Sequence, residues 1–141
     1  MLRNSQLKRD SPMHTVSGPA PGFHRHPEHR IAIRDSEDRW QVRSGDIVLA
    51  ETQAARILEE TGYGDVVYFP PGDVFYNRLA MSETETTCPF KGRADYFRLA
   101  SGADRSDVAW TYPATYEEAE AIAGYVAFYA NKISIQKLDS S

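Results

Sequence analysis

From His29 onward the chain alternates apolar and polar positions in short runs, the period of half-buried strands. Ile31 and Ile33 share one face of a first run, Trp40 and Val42 of a second, and Ile47 and Leu49 of a third. Ser44-Gly45-Asp46 separates the second and third closely enough for a hairpin turn. Ala54 to Glu60 suits either a helical turn or a strand; strand is preferred, ended by Thr61-Gly62-Tyr63-Gly64. Val66 to Phe69 is a strand stopped by Pro70-Pro71-Gly72, and Val74 to Leu79 resumes extended structure. Ser82 to Thr87 reads as a polar, acidic loop. Ala94 to Ala100 and Val108 to Tyr112 are two further strands, joined by hairpin-loop residues at Ser101-Gly102-Ala103-Asp104.

The period then changes. Thr115-x-x-Glu118 has the form of a capping box, which predicts a helix from Tyr116. Ala119, Ile122 and Ala123 would be its apolar stripe and Gly124 the left-handed residue that ends it. Tyr125 to Ile133 alternates again, with Val126 and Phe128 facing one way and Tyr125, Ala127 and Tyr129 the other, as in a strand packed on both faces. The expected fold class is therefore mainly β, with one short helix near the C-terminus. Residues 1–28, with Pro12, Pro19, Pro21, Pro27, Gly18 and Gly22, read as an arm; 29–135 as a single β-rich domain; 136–141 as a tail.

Composition narrows the classes of function. A chain of 141 residues, 41% hydrophobic and 11% aromatic, can bury one core. Its longest near-apolar run, Ala121 to Ala130, is about half the roughly twenty residues a membrane helix needs. Met1 to Asp10 mixes Arg3, Lys8 and Arg9 with polar residues and leads into no apolar segment, so a signal peptide is not expected and a cytoplasmic location is. The net charge of −4 argues against nucleic acid as a partner. The first thirty residues, with five basic and two acidic side chains, run against that balance, so a basic arm could contact an acidic body. Cys88 is the only cysteine, which leaves no intrachain disulfide and no Cys-x-x-Cys pair.

Five segments carry a resemblance: Val67-Tyr68-Phe69-Pro70, Asp73-Val74, Thr86-Thr87-Cys88-Pro89-Phe90-Lys91-Gly92, Ala109-Trp110-Thr111-Tyr112-Pro113 and Gly124-Tyr125-Val126-Ala127-Phe128-Tyr129. Together they resemble the domain of unknown function 427 family, from about His29 to about Ile133, with Cys-Pro-Phe-Lys-Gly the most specific piece. The resemblance implies a small, mainly β domain of bacterial and fungal type, a compact antiparallel sheet, a barrel or a tent-like fold, with no established activity. The nucleotidyltransferase-like label sometimes attached to such domains is not adopted, because no Gly-Ser followed by an Asp-x-Asp pair is present to hold magnesium. The family pattern usually has histidine where this chain has Thr87, so an adjacent Cys-His pair is absent.

The candidate chemistry gathers at that motif. Lys91 three residues after Cys88 could lower the thiol's pKa and make it a nucleophile, although a lone cysteine is more often a small buried apolar residue, with Pro89-Phe90 a packed turn. Lys91 and Gly92, with Arg93, could hold an anion at the turn. Asp73, after Pro-Pro-Gly, is a turn cap or a general base if folding brings it to Cys88 and Lys91. Trp110, Tyr112, Tyr125 and Tyr129, with Tyr68 and Tyr96, have apolar bodies and polar tips, so one or two of the six could line a pocket. His24, His26 and His29 sit on a Pro-rich arm without a rigid scaffold, so no metal site is expected. The preferred reading is a small anionic ligand held by Lys91 and Gly92, with Tyr112 or Tyr125 covering its apolar part, Cys88 on the floor and Asp73 taking a proton, with or without catalysis. The competing reading is a noncatalytic interaction module or homo-oligomer in which the motif is only a structural turn. A pocket at the motif favours the first; Cys88 sealed in core favours the second.

Overall fold

In the computed structural model, which describes residues 16–138, ten strands form three antiparallel sheets. Strand β1 (Ile31–Asp35) pairs with β4 (Arg56–Glu60), which pairs with β5 (Val66–Tyr68). Strand β2 (Arg39–Ser44) lies between β3 (Ile47–Thr52) and β10 (Ser134–Leu138). The largest sheet runs in sequence order through β6 (Leu79–Cys88), β7 (Gly92–Leu99), β8 (Asp107–Thr115) and β9 (Val126–Phe128). A barrel does not close among the described residues. A single bridge, Phe69 to Val126, links the chain just after β5 to β9, and another, Ala50 to Val74, ties β3 to the segment after the Pro71–Asp73 turn.

Strands β7, β8 and β9 of the four-stranded sheet contribute to a core on each face, and β9 displays the two-sided pattern expected of it. Val126 and Phe128 enter a core with Val42, Leu49, Phe69 and Phe97; Ala127 points the other way into a core with Leu58, Tyr68, Tyr112 and Ile122. The strand is shorter than expected, because the chain turns at Tyr129, whose carbonyl accepts from the Lys132 and Ile133 N–H groups. The next segment crosses to pair with β2, so β10 runs over the expected domain boundary at residue 135.

Three further expectations are corrected. The helix expected from Tyr116 is a kinked 3-10 helix, Glu117–Ile122, with no side-chain cap. Thr115 is held in β8 opposite Gly92, and the Glu118 carboxylate instead accepts from the Ala20 N–H at 2.9 Å. The one α-helix among the described residues is Gly22–Arg25, in the expected arm. The polar loop expected at Ser82 to Thr87 lies inside β6, an edge strand whose one partner, β7, supplies the ladder. An edge strand tolerates polar side chains on both faces, so its composition imitates a loop. Val74 to Leu79 is not continuously extended either; Tyr76–Arg78 is a 3-10 turn.

Candidate functional site

Cys88-Pro89-Phe90-Lys91-Gly92 is the β6–β7 hairpin: Cys88 pairs with Gly92 and the three residues between make the turn. Gly92 has φ of +140° and also pairs with Thr115 on the other side, where a Cβ would come within 2.3 Å of the Ala114 carbonyl oxygen. Only glycine fits that backbone and that approach. Gly92 therefore seats the hairpin against β8, and it does not line the adjoining cleft.

The cleft, about 470 Å³, opens between this turn and the sheet of β4 and β5. On one wall the Glu60 carboxylate, at the end of β4, joins two cations or donors: Lys91 Nζ at 2.5 Å from one oxygen, His29 Nε2 at 2.9 Å from the other. These side chains are 8%, 11% and 15% exposed respectively. The His29 ring stacks on Phe90, centroids 4.0 Å apart, and Phe23 meets Phe90 edge-on at 5.0 Å. The segment that brings Phe23 is tied down where the Gly22 N–H donates to the Pro89 carbonyl at 2.9 Å. Residues from Gly18 onward thus pack on the body; the rest of the expected arm, before residue 16, lies outside the described residues.

The floor is phenolic. Tyr68, 1% exposed, accepts from the Trp110 indole N–H at 3.2 Å, and its own O–H finds no acceptor among the described residues. Tyr112, 7% exposed, makes no hydrogen bond through its hydroxyl among the described residues. That oxygen is not sealed in protein, so it opens on the cleft it lines. Burial pushes both phenols far above the usual tyrosine range, and the neighbouring Cys88, Tyr96 and Glu60 push them the same way. Both remain proton donors at every physiological pH. At the rim Tyr96 shares a 2.8 Å hydrogen bond with Thr86, and Tyr129 is pushed up to about 12, first by burial and then by Tyr96.

Of the residues singled out from sequence, Cys88, Lys91 and Tyr112 are brought together here. Cys88 is a half-buried free thiol on the cleft wall, not sealed in core. Asp73 is not brought to them: its carboxylate accepts from the Thr52 hydroxyl at 2.6 Å and fastens the Pro71–Asp73 turn to β3. Tyr125 faces another way, under the Arg56 guanidinium at 5.2 Å. Five of the six aromatics line the cleft, all except Tyr125, where one or two were expected. Glu60 was missed, because the β1–β4 register that sets Ile31 opposite Glu60, beside His29, is not legible in local pattern. The histidine absent at position 87 has a counterpart in space, since His29 lines the same cleft as Cys88. His26 lies 3.7 Å from Glu28, and no metal-holding group of His, Cys, Asp or Glu occurs among the described residues.

A larger cleft, about 620 Å³, lies on the other side of Trp110 and Tyr129 and shares them as a wall. Its polar groups answer one another: Arg34 with Asp65 at 3.5 Å, Lys137 with Asp38 at 3.8 Å, and Ser36 accepting from the Trp40 indole at 3.1 Å. In the motif cleft, by contrast, the Tyr112 hydroxyl has no partner among the described residues; the one sealed side-chain atom without a partner among them, Arg43 Nε, lines neither cleft.

A family model described as Domain of unknown function (DUF427) matches residues 32–139. The chain belongs to this family. No curated protein matches the chain. Within the DUF427 span fall Glu60, Cys88, Lys91 and the five cleft aromatics; His29 and Phe23, which brace the turn, precede it. No helix of this DUF427 domain's described residues is long and apolar enough to cross a membrane.

Proposed function

We propose that this DUF427 domain binds a small molecule in the cleft at the Cys88–Gly92 turn, through an acceptor oxygen on the ligand. The observation that carries the reading is the Tyr112 hydroxyl: held neutral, open on the cleft, and without a partner among the described residues. A polar donor set in a largely apolar cleft is the kind of group with which small-molecule pockets orient a ligand. Tyr68, whose O–H has no acceptor among the described residues, lines the same cleft, and Lys91, with one contact to Glu60, keeps ammonium donors over. Cys88 lines the wall and Trp110, Tyr96 and Tyr129 supply the apolar surface that small-molecule pockets favour. The half-buried thiol on the cleft favours this reading over a purely structural turn in an interaction module.

The test is a thermal-shift screen of the purified chain against nucleotides, phosphorylated metabolites, small organic acids and divalent metals, with Tyr112→Phe in parallel. A ligand at a hundred times its dissociation constant stabilises by about 2.7 kcal/mol. The expected result is a raised midpoint in the wild type that is lost in Tyr112→Phe. Equal shifts in both proteins, or none from any compound, would count against the cleft as the site.

A further inference from the structure

We propose that the ligand of this cleft is a small aromatic monocarboxylate, its carboxylate received by Tyr68, Tyr112 and Lys91 and its ring laid against Trp110 and Tyr129. This deepens the ligand-site reading above and rests on it.

The donor and acceptor inventory points to a carboxylate. The cleft offers O–H from Tyr68 and Tyr112 and the remaining N–H groups of Lys91. Its one carboxylate, Glu60, has both oxygens engaged, by Lys91 and by His29. Besides phenol oxygens, no acceptor side chain among the described residues of the lining is left free. A ligand carboxylate brings two oxygens and about four lone-pair sites for these donors and a charge to meet the ammonium; a neutral amide brings one acceptor oxygen and no charge.

Charge sets the limit on the other side. The acidic and basic side chains lining the cleft are Glu60, Lys91 and His29. One added negative charge meets two neutral phenol donors and an ammonium. A phosphate dianion would add a second charge with no further cation in the lining, and burying an uncompensated charge is strongly unfavourable. The phosphate-bearing ligands that a Lys-Gly turn first suggests are thereby disfavoured.

The apolar part of the ligand is set by the opposite wall. Trp110 and Tyr129 lie 4.6 Å apart at 48°, and Trp110 stands perpendicular to Tyr68 at 6.3 Å. A flat ring entering above Tyr68 meets them in the edge-to-face and offset arrangements that aromatic groups prefer. A volume of about 470 Å³ accommodates a one- or two-ring acid.

The experiment is calorimetric titration of the full chain and of Tyr112→Phe with benzoate, 4-hydroxybenzoate and 2-naphthoate, and with the matching amides and phenyl phosphate. At least one acid is expected to bind about tenfold or more tightly than its amide and than phenyl phosphate, and to lose about tenfold in Tyr112→Phe, the size of a hydrogen bond to a charged group. An amide or phenyl phosphate that binds the wild type as tightly as the acids, and loses affinity in Tyr112→Phe, would overturn the carboxylate assignment while leaving the site itself standing. Failure of all three acids to bind overturns the assignment outright. Acid binding that Tyr112→Phe leaves unchanged overturns both.

Discussion

Glu60→Ala is expected to destabilise the domain by about 3 kcal/mol, the lower end of the cost of removing one partner from a buried ion pair. The Glu60 carboxylate is 8% exposed and uses one oxygen for Lys91 and the other for His29. Without it the ammonium of an 11% exposed lysine has no counter-charge, and the imidazole stacked on Phe90 loses the bond that orients it. The lower end applies because these side chains keep a tenth or so of their surface in water. Glu60→Gln retains the shape and part of the hydrogen bonding but not the charge, so it should fall between wild type and alanine. Urea unfolding measures all three. A loss below about 1 kcal/mol for alanine would mean that the pair behaves as a solvated surface bridge.

Gly92→Ala is expected to cost as much or more, about 3 kcal/mol at the least, for a reason unrelated to ligand chemistry. A backbone at φ of +140° is nearly confined to glycine, and holding another residue there costs on the order of 1–3 kcal/mol. The new methyl would also lie 2.3 Å from a backbone oxygen of β8, which cannot swing aside as a side chain would. Relief requires β7 to separate from β8 at the residue where Cys88, Gly92 and Thr115 stand in register. The urea midpoint should fall with little change in slope. A variant within about 1 kcal/mol of wild type would show that the hairpin tolerates separation, and would reopen a direct binding role for Gly92.

The strands that sequence reveals are those with one wet and one dry face or two dry ones. Ile31 with Ile33, and Val126 with Phe128, repeat at the period of two because each pair packs into a core, while of Ile47 and Leu49 only Leu49 does and Ile47 is 44% exposed at the start of β3. Strand β6 hides because its Ser-Glu-Thr-Glu-Thr stretch sits on a sheet edge, where pairing depends on β7 and not on its own side chains. The capping-box pattern at Thr115 and Glu118 misleads because tertiary contacts claim both residues first. At the site the legible part is the hairpin motif, with Cys88, Lys91 and Tyr112; its neighbours in space come from β1–β4 register and from the path of the chain before β1, which no local pattern encodes. Asp73 and Tyr125 looked equivalent to the true cleft residues because residue type carries no direction, and the fold turns one toward Thr52 and the other toward Arg56.

Urea unfolding of Tyr112→Phe without any ligand tests the central claim most directly. If the hydroxyl has no partner in the folded protein and opens on the cleft, removing it breaks no intramolecular bond, and the variant should be as stable as the wild type within about 0.5 kcal/mol. A loss of about 1 kcal/mol or more would mean that the hydroxyl is already bonded within the protein, and the case for a ligand's oxygen at that position would fall.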